Sequence, residues 1–548
     1  MSRKQLALSS SFVLALLVLL SACQNRQVGY AEHQYAPAPR MVMKDMEAPL
    51  PAGEMAEPMP GMDAGEGAED FNREEYDRIY ENAFLSPKVN PLSTFAIDVD
   101  AASYANVRRF LNESRMPYPD AVRIEEMINY FDYDYPQPEG SDPFSITTEL
   151  GVCPWNQEHY LVHIGLQGKD LPAADLPPSN LVFLFDVSGS MDDPNKLPLL
   201  KSAFRLLVEQ LDEKDRVAIV VYAGAAGVVL PSTRGDQQAE ILAALEDLSA
   251  GGSTAGGEGI QLAYKIAQEH FIPDGNNRII LATDGDFNVG PSSQGELVRM
   301  IEEKREEGVF LSVLGFGTGN YQDSKMEQLS NKGNGNYAYI DNILEAKKVL
   351  VSEMGGTLFT IAKDVKIQVE FNPAIVKGYR LIGYENRLLA AEDFNDDTKD
   401  AGELGAGHSV TAIYEVVPVG ASTKIRGIDS LKFSVTVPVD GSQQDLLFVK
   451  FRYKDPDGDV SKLIEQSLAA TVTPLVRTSD NFRFSAAVAA FGMLLRNSDY
   501  KGESTYAMVK ELATNAKGDD PNGYRSEFLQ LVEKASLLDD RDLNAEGK

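Results

Sequence analysis

The sequence predicts an α/β fold at its centre, a doubly wound, Rossmann-like domain flanked by an antiparallel β-sandwich and a C-terminal helical region. Three observations support this fold class. Between residues 180 and 355, continuous apolar runs alternate with segments of helical spacing. From about 358 to 460, apolar and polar residues alternate with a period of two, and beyond 461 the helical spacing returns.

The central segment opens with the strand-like run "LVFLF" (Leu181–Phe185). A run that is apolar at every position is expected of a strand covered on both faces. Similar runs follow in "RVAIVVYAG", "RIILATDG" and "VFLSVLGFG", with helical segments such as "KLPLLKSAFRLLVEQL" between them. The short "GVVLPS" predicts an edge strand, and "NYAYI" and "NILEAKKVLVSEM" close the unit. We therefore expect a mostly parallel sheet with helices on both faces.

The segment after the centre contains five alternating runs, which predict antiparallel strands: "DVKIQVEFNP", "VKGYRLIGYE", "HSVTAIYEVVP", "DSLKFSVTVPV" and "DLLFVKFRYKD". From about residue 461 we expect mainly helices, among them "FRFSAAVAAFGMLLRN", "TYAMVKELATNA" and "YRSEFLQLVEKASLL". The first of these is strongly apolar, but it is too short for a membrane span.

The segment before the centre also carries regular structure. "STFAIDVDAASYANVRRFLNESRMP" predicts a strand that runs into a helix, and "PDAVRIEEMINYF" predicts a second helix. Phe144–Gly151 and Tyr160–Gly165 predict two strands. Asp98 and Asp100 resemble a metal-binding pair, but a strand-to-helix junction favours a cap or turn role for them.

These patterns divide the chain into six parts. The first two are a signal peptide (1–22) and a flexible tether rich in Pro, Met, Gly and Glu (23–75). They are followed by an accessory region (76–175), the α/β domain (176–357), the sandwich (358–460) and the helical region (461–548).

The formal net charge of −31 excludes one class of function. A nucleic-acid-binding protein needs a basic surface to meet phosphates, so we expect no nucleic-acid partner. The chain has two cysteines, Cys23 and Cys153, which is few for a secreted protein stabilised by disulfides.

The N-terminus has the features of a bacterial lipoprotein signal. Arg3 and Lys4 precede the apolar run Phe12–Leu20, and Leu20-Ser21-Ala22-Cys23 follows. The last four residues resemble the lipobox, which implies cleavage before Cys23 and lipid attachment to its thiol. Gln24 after Cys23 implies sorting to the outer membrane. We expect a lipid anchor on the periplasmic side, with exposure at the cell surface left open, and a buried, unreactive Cys153.

Three loops at the expected carboxyl ends of strands carry polar residues. They supply Asp186, Ser188 and Ser190 after "LVFLF", Thr254 at a helix start, and Asp284 after "RIILAT". Each alone fits a helix cap or a turn. In this order and spacing they resemble the metal-ion-dependent adhesion site of von Willebrand factor type A domains. The resemblance implies a divalent cation held by oxygen ligands, Mg²⁺ with Mn²⁺ and Ca²⁺ as alternatives.

The whole folded chain resembles the YfbK-type bacterial lipoproteins. The resemblance rests on "SYANVRRFLN" and "PDAVRIEEMINYF" before the centre, and on "YRLIGYENR", "GAGHSVTAIYE" and "FGMLLR" after it. We further expect the strands at 144–165 and 364–454 to share one sandwich, with the α/β domain inserted between them, by analogy with integrin β-chains.

Catalytic motifs are weak in this sequence. "GGSTAGGEG" lacks the lysine of a P-loop, and no Gly-x-Ser-x-Gly elbow occurs. His159 and His163 lie four residues apart without a completing zinc ligand, and we interpret both as structural. "DPDGDVSK" departs from the EF-hand pattern and predicts a hairpin turn.

The sequence therefore predicts a non-enzymatic envelope lipoprotein. It would bind a protein partner through the metal, with an acidic side chain of the partner completing the coordination. A metal-assisted hydrolase and a structural lipoprotein with a non-functional site are the alternatives.

Overall fold

The computed structural model describes residues 74–172, 176–253, 256–285, 294–319, 321–353, 359–399, 401–425, 444–456 and 458–539. The expected signal peptide, nearly all of the expected tether and the expected strand "DSLKFSVTVPV" lie outside these residues. Within the described ranges, none of the helices combines the length and the apolar character that a bilayer crossing requires.

The described chain begins with a strand, two helices and a hairpin, namely β1 (Leu92–Ala96), α1 (Ala102–Asn112), α2 (Ile124–Asn129), β2 (Phe144–Val152) and β3 (Tyr160–Gly168). Helix α1 is buried along nearly its whole length. Ala102 and Ala105 pack into the core of the central domain, and Tyr104 and Val107 pack into the core of the helical region. Helix α1 therefore connects the core of the central domain with the core of the helical region.

The centre of the chain forms a six-stranded sheet from β4 (Ser179–Asp186), β5 (Arg216–Tyr222), β6 (Ala226–Arg234), β7 (Asn276–Thr283), β8 (Val309–Phe316) and β9 (Tyr337–Ile340). The spatial order is β6-β5-β4-β7-β8-β9. All neighbours are parallel except the edge strand β6, which runs antiparallel to β5. The expected edge strand and the mostly parallel sheet are confirmed.

Helices cover both faces of this sheet: α3 (Leu197–Val208), α4 (Gln238–Glu246), α5 (Gly256–Glu269), α6 (Gln294–Glu306), α7 (Asp323–Lys332) and α8 (Ile343–Lys347), the last continuing into a π-helical turn at Lys348–Ser352. Alternate residues of β4 enter two separate cores, Phe183 against α3 and Leu184 against α5. This division makes the domain doubly wound, as expected from runs that are apolar at every position.

Among the described residues after the central domain there are seven further strands, β10 (Thr360–Phe371), β11 (Val376–Ile382), β12 (Leu388–Leu389), β13 (Gly402–Gly405), β14 (Ser409–Pro418), β15 (Asp445–Lys454) and β16 (Lys462–Ala469). They join two antiparallel sheets. One has the order β12-β1-β10-β15-β16, with β13 also paired to β10, and the other has the order β11-β14-β3-β2.

Both sheets contain strands from before and after the central domain. β14 pairs with β3 from Ser409–Gln167 to Val416–Tyr160, and β10 pairs with β1. The expectation of one sandwich with the α/β domain inserted into it is confirmed by these pairings.

Strand β3 is buried on both faces. Val162, Ile164 and Leu166 point into the core between the two sheets, and Leu161 points into the core of the helical region. On that second face Gly165 lies against the ring of Tyr135, where a Cβ would overlap the ring carbons. Strand β3 is thus shared by two cores.

The helical region consists of α9 (Asp480–Arg496), α10 (Tyr506–Asn515) and α11 (Tyr524–Leu538), which pack with α1 and α2. Helix α9 is buried from Phe484 to Arg496, so its strongly apolar sequence serves a protein core. The expectation of helix from residue 461 was wrong for its first part, because Lys462–Ala469 is strand β16. The turn at Asp455 joins it to β15 as a hairpin, as expected.

Two buried arginine clusters fix the central domain to its surroundings. Arg108 of α1 pairs with Asp341 and Glu345 of the central domain and with Glu527 of α11. Arg123, just before α2, pairs with Asp323 and with Glu327 of α7 at 2.7 and 2.9 Å. Both guanidinium groups are therefore neutralised across element boundaries.

Asp98 and Asp100 belong to the second cluster, so their expected cap or turn role was wrong. Arg387 binds their carboxylates at 2.9 and 3.0 Å, and Asp100 also accepts from the backbone amide of Tyr337 at 2.8 Å. The N-cap of α1 is Ala101, which makes no side-chain cap. Partners nearly 300 residues away in sequence decide the role of both aspartates.

We expect a fragment of residues 359–470 to lack a stable fold on its own. It would lose β3 from beside β14 and β1 from beside β10, which exposes both the ladder hydrogen bonds and the core of the sandwich. Circular dichroism and amide-proton NMR dispersion would show a disordered chain, with the full protein as control. A sharp cooperative melt of the fragment would contradict the shared sandwich.

Candidate metal centre

The two aspartates of the expected site lie at one edge of the central sheet. Asp186 is the last residue of β4 and Asp284 directly follows β7. The two strands are parallel neighbours, with Phe185 opposite Ala282. Both aspartates have no exposed surface. Two carboxylates thus lie at the carboxyl ends of adjacent strands, where ligand sites of such sheets form.

The loop after β4 turns back onto the Asp186 carboxylate. The backbone amide of Ser188 donates to Asp186 Oδ1 at 2.9 Å, and the Ser188 and Ser190 hydroxyls are 3.0 Å apart. Thr283 Oγ1 donates to Asp186 Oδ2 at 3.3 Å. Ser188 is buried and Ser190 is exposed. The hydroxyls therefore connect the buried carboxylates to the surface.

A third loop meets the first through the main chain. The Gly251 amide donates to the Val187 carbonyl at 2.8 Å, and the Gly189 amide donates to the Gly252 carbonyl at 3.1 Å. These bonds bring the segment that precedes α5 to the loop after β4. Thr254 lies outside the described residues, so its ligand role stays a prediction.

Burial sets the electrostatics of the site. Burial raises the pKa of Asp186 to about 6. The hydrogen bonds from Ser188 act to lower this pKa, and the nearby charge of Asp284 acts to raise it. A divalent cation would offset the repulsion between the carboxylates. The donors are all oxygen atoms, which suits Mg²⁺, Mn²⁺ or Ca²⁺. The residues present therefore fit a hard cation.

Sequence reasoning missed Lys196, at the N-cap of α3. Its Nζ donates to Asp284 Oδ2 and to the Ser190 carbonyl, both at 3.0 Å. Its methylene groups lie across Gly317, where an added Cβ would overlap them. A lysine one residue before the apolar face of a helix, six residues after Ser190, was the available signal.

The other polar groups singled out in the sequence have structural surroundings. Cys153 is buried, and burial raises the pKa of its thiol, as expected of an unreactive cysteine. Burial lowers the pKa of His163 to about 3, and its ring bonds to Tyr135 and Ser485 at 2.6 and 3.0 Å. His159 is held between Glu415 and Thr423, each at 2.6 Å. The structural interpretation of both histidines is supported.

A second group of carboxylates could hold a cation by geometry alone. Asp100, Glu126 and Glu327 place oxygen atoms within 4.8 Å of one another. Arg387 binds Asp100 and Glu327, and Arg123 binds Glu126 and Glu327. Guanidinium groups already neutralise these acids, so we assign the group to the buried ion network.

The doubly wound sheet and the loops at its carboxyl edge define a von Willebrand factor type A domain, and the family model of that name matches residues 180–350. Residues 70–163 match the model "von Willebrand factor", and residues 356–538 match "Uncharacterized protein YfbK, C-terminal". The chain is 45% identical to "Uncharacterized protein YfbK" of Escherichia coli K12 over 474 residues, which are 85% of this chain and 81% of that protein. This chain belongs to the YfbK family.

More distant similarity is confined to part of the chain or to the fold. Human "Inter-alpha-trypsin inhibitor heavy chain H3" is 29% identical over 192 residues, 33% of this chain and 21% of that protein. A solved "von Willebrand factor type A from Catenulispora acidiphila" is 17% identical, covers 72% of this chain and 91% of its own, and has a TM-score of 0.39. The solved structure of BatB from Bacteroides thetaiotaomicron is 25% identical in sequence, and it has a TM-score of 0.28. The match covers 32% of this chain and 97% of BatB. Proteins with type A domains mediate protein interactions, often through a metal-ion-dependent site.

We expect Gly317→Ala to destabilise the protein more than Gly319→Ala. Both glycines have positive φ, +73° and +94°, so alanine is strained at either position. Only at Gly317 does the new Cβ overlap Lys196; at Gly319 no atom lies within 4 Å. The additional loss should be about 1–3 kcal/mol, measured by chemical denaturation. Equal losses would show that Lys196 moves aside freely.

Proposed function

We propose that this protein is a cell-envelope lipoprotein that binds a protein partner through a divalent cation held by Asp186, Ser188, Ser190, Thr254 and Asp284. The observation that carries the proposal is the convergence of two fully buried carboxylates with the hydroxyls of Ser188 and Ser190 at one sheet edge. The type A domain supports the part of the proposal that concerns partner binding.

The donor set favours an anionic ligand from the partner. Serine and threonine hydroxyls are neutral, so the cation would keep much of its charge. Ser190 lies at the surface, where a side chain of a partner can approach. An aspartate or glutamate of the partner would supply both the oxygen and the negative charge.

The location is a second part of the proposal. Leu20-Ser21-Ala22-Cys23 resembles a lipobox, and Gln24 resembles the residue that follows the lipidated cysteine in outer-membrane lipoproteins. We propose that Cys23 carries the lipid and that the folded body lies on the periplasmic side of the outer membrane.

We expect the full chain, purified in detergent, to bind one Mg²⁺ or Mn²⁺ ion in isothermal titration calorimetry. Asp186→Ala should weaken binding at least about tenfold, because it removes a buried carboxylate from the site. Asp192→Ala is the matched control, since Asp192 is exposed and its carboxylate has no place in the motif. Equal affinities of the two variants would contradict the assignment.

The same proteins test the partner. Affinity capture from envelope extracts in Mg²⁺, in EDTA and with Asp186→Ala should give a partner that is retained only by the wild-type protein in Mg²⁺. Identical sets of captured proteins under all three conditions would exclude metal-dependent binding.

We expect Cys23→Ser to release the protein from the membrane. The thiol is the acceptor of the lipid, and a single hydroxyl substitution removes it while leaving the folded body unchanged. Fractionation of a Gram-negative host and incorporation of labelled palmitate would measure the change, with Cys153→Ser as control. Labelling that persists in Cys23→Ser would refute the proposed anchor.

A further inference from the structure

The side chain of Lys196 is 6% exposed, and it contacts Asp284, whose side chain has no exposed surface. A buried ammonium group is rare because its desolvation is costly unless an acid neutralises it. Here three contacts hold the side chain, namely the Asp284 carboxylate, the Ser190 carbonyl and the backbone at Gly317. Its positive charge is therefore fixed beside the candidate metal centre.

The ammonium changes the charge balance of the site. Asp186 and Asp284 supply two negative charges and Lys196 one positive charge, which leaves a net charge of −1 before a cation binds. Asp193 also approaches Nζ, at 3.8 Å, but its side chain is 68% exposed and screened by water. A divalent cation would bring the net charge to +1. Without Lys196, the net charge of the same site would be −2 before the divalent cation binds and zero afterwards.

We propose that Lys196 determines the ligand specificity of the metal centre, trading cation affinity for a preference for anionic ligands. Its fixed charge opposes the incoming cation and leaves the loaded site positive, so that a carboxylate is favoured over a neutral oxygen ligand. The inference rests on the proposed function, because it needs a cation at Asp186 and Asp284. The preferred partner group is thus an anion, and Lys196, which lies outside the metal-binding motif, sets that preference.

The test compares the full chain in detergent with Lys196→Met, which keeps the aliphatic length and removes the charge. Calorimetry with Mg²⁺ should show about tenfold tighter binding in the variant, because the opposing charge is gone. Thermal unfolding in EDTA should show a lower Tm, since Asp186 and Asp284 lose the neutralising ammonium. Acetate binding to the Mn²⁺-loaded protein, followed by water-proton relaxation, should weaken about tenfold.

Lys201→Met is the matched control. Lys201 lies farther along α3, and its Nζ donates to the Glu246 and Leu248 carbonyls, away from the site carboxylates. It should leave the affinities for Mg²⁺ and for acetate unchanged. If Lys196→Met fails to fold, Lys196→Gln, which keeps a donor for Asp284 and Ser190, should show the same two changes.

The outcomes separate the two proposals. A wild-type protein that binds no divalent cation overturns both of them. A wild-type protein that binds Mg²⁺, with equal or weaker binding in Lys196→Met and Lys196→Gln, overturns only the role of Lys196. Acetate affinity that is equal in the loaded wild type and the variants has the same consequence.

Discussion

The pairing of β3 with β14 is the interaction on which the rest of the structure depends. Eight residue pairs join strands that lie on opposite sides of the inserted type A domain in sequence. At the end of the ladder, the Gly168 amide donates to the His408 carbonyl at 2.8 Å, and the Gly407 amide donates to the Lys169 carbonyl at 3.0 Å. The chain thus leaves the sandwich beside the point where β14 begins. Closing so long a loop is entropically unfavourable, and the two cores that share β3 offset that cost.

The buried arginine clusters extend this constraint to the type A domain itself. Arg108 joins the segment around α8 to α1 and α11, and Arg123 joins α7 to the region before α2. Removing one partner from such a pair leaves a buried charge and costs about 3–5 kcal/mol. Any displacement of α7 or α8 must therefore move the accessory helices as well. A change at the metal centre that reached α7 would also reach the sandwich, because Glu327 of α7 pairs with Arg387, directly before β12.

The parts that the sequence predicts well are those governed by local pattern. Apolar runs predicted the buried strands, and alternation predicted the antiparallel ones, since both follow from the period of the side chains. Strand β16 was missed because "KLIEQSLA" has helical residues, and its pairing with β15 overrides that preference. The roles of Asp98 and Asp100 were missed because Arg387 is distant in sequence. Lys196 was missed for the same reason, because only the fold shows that its charge is buried against Asp284.

The position of the first described residue bears on how a tethered protein would present its site. Glu74 Oε1 accepts a hydrogen bond from the Gly319 amide at 3.2 Å. Glu75 forms an isolated parallel β-bridge with Gln322. Gly319 follows β8 in the same loop as Gly317, which lies against Lys196 at the carboxyl edge of the sheet. The described part of the chain therefore begins at the edge that carries the candidate metal centre. With the proposed lipid on Cys23, the 50 residues between Cys23 and Glu74 could reach at most about 170 Å, so the site would stay within reach of a partner bound to the same membrane.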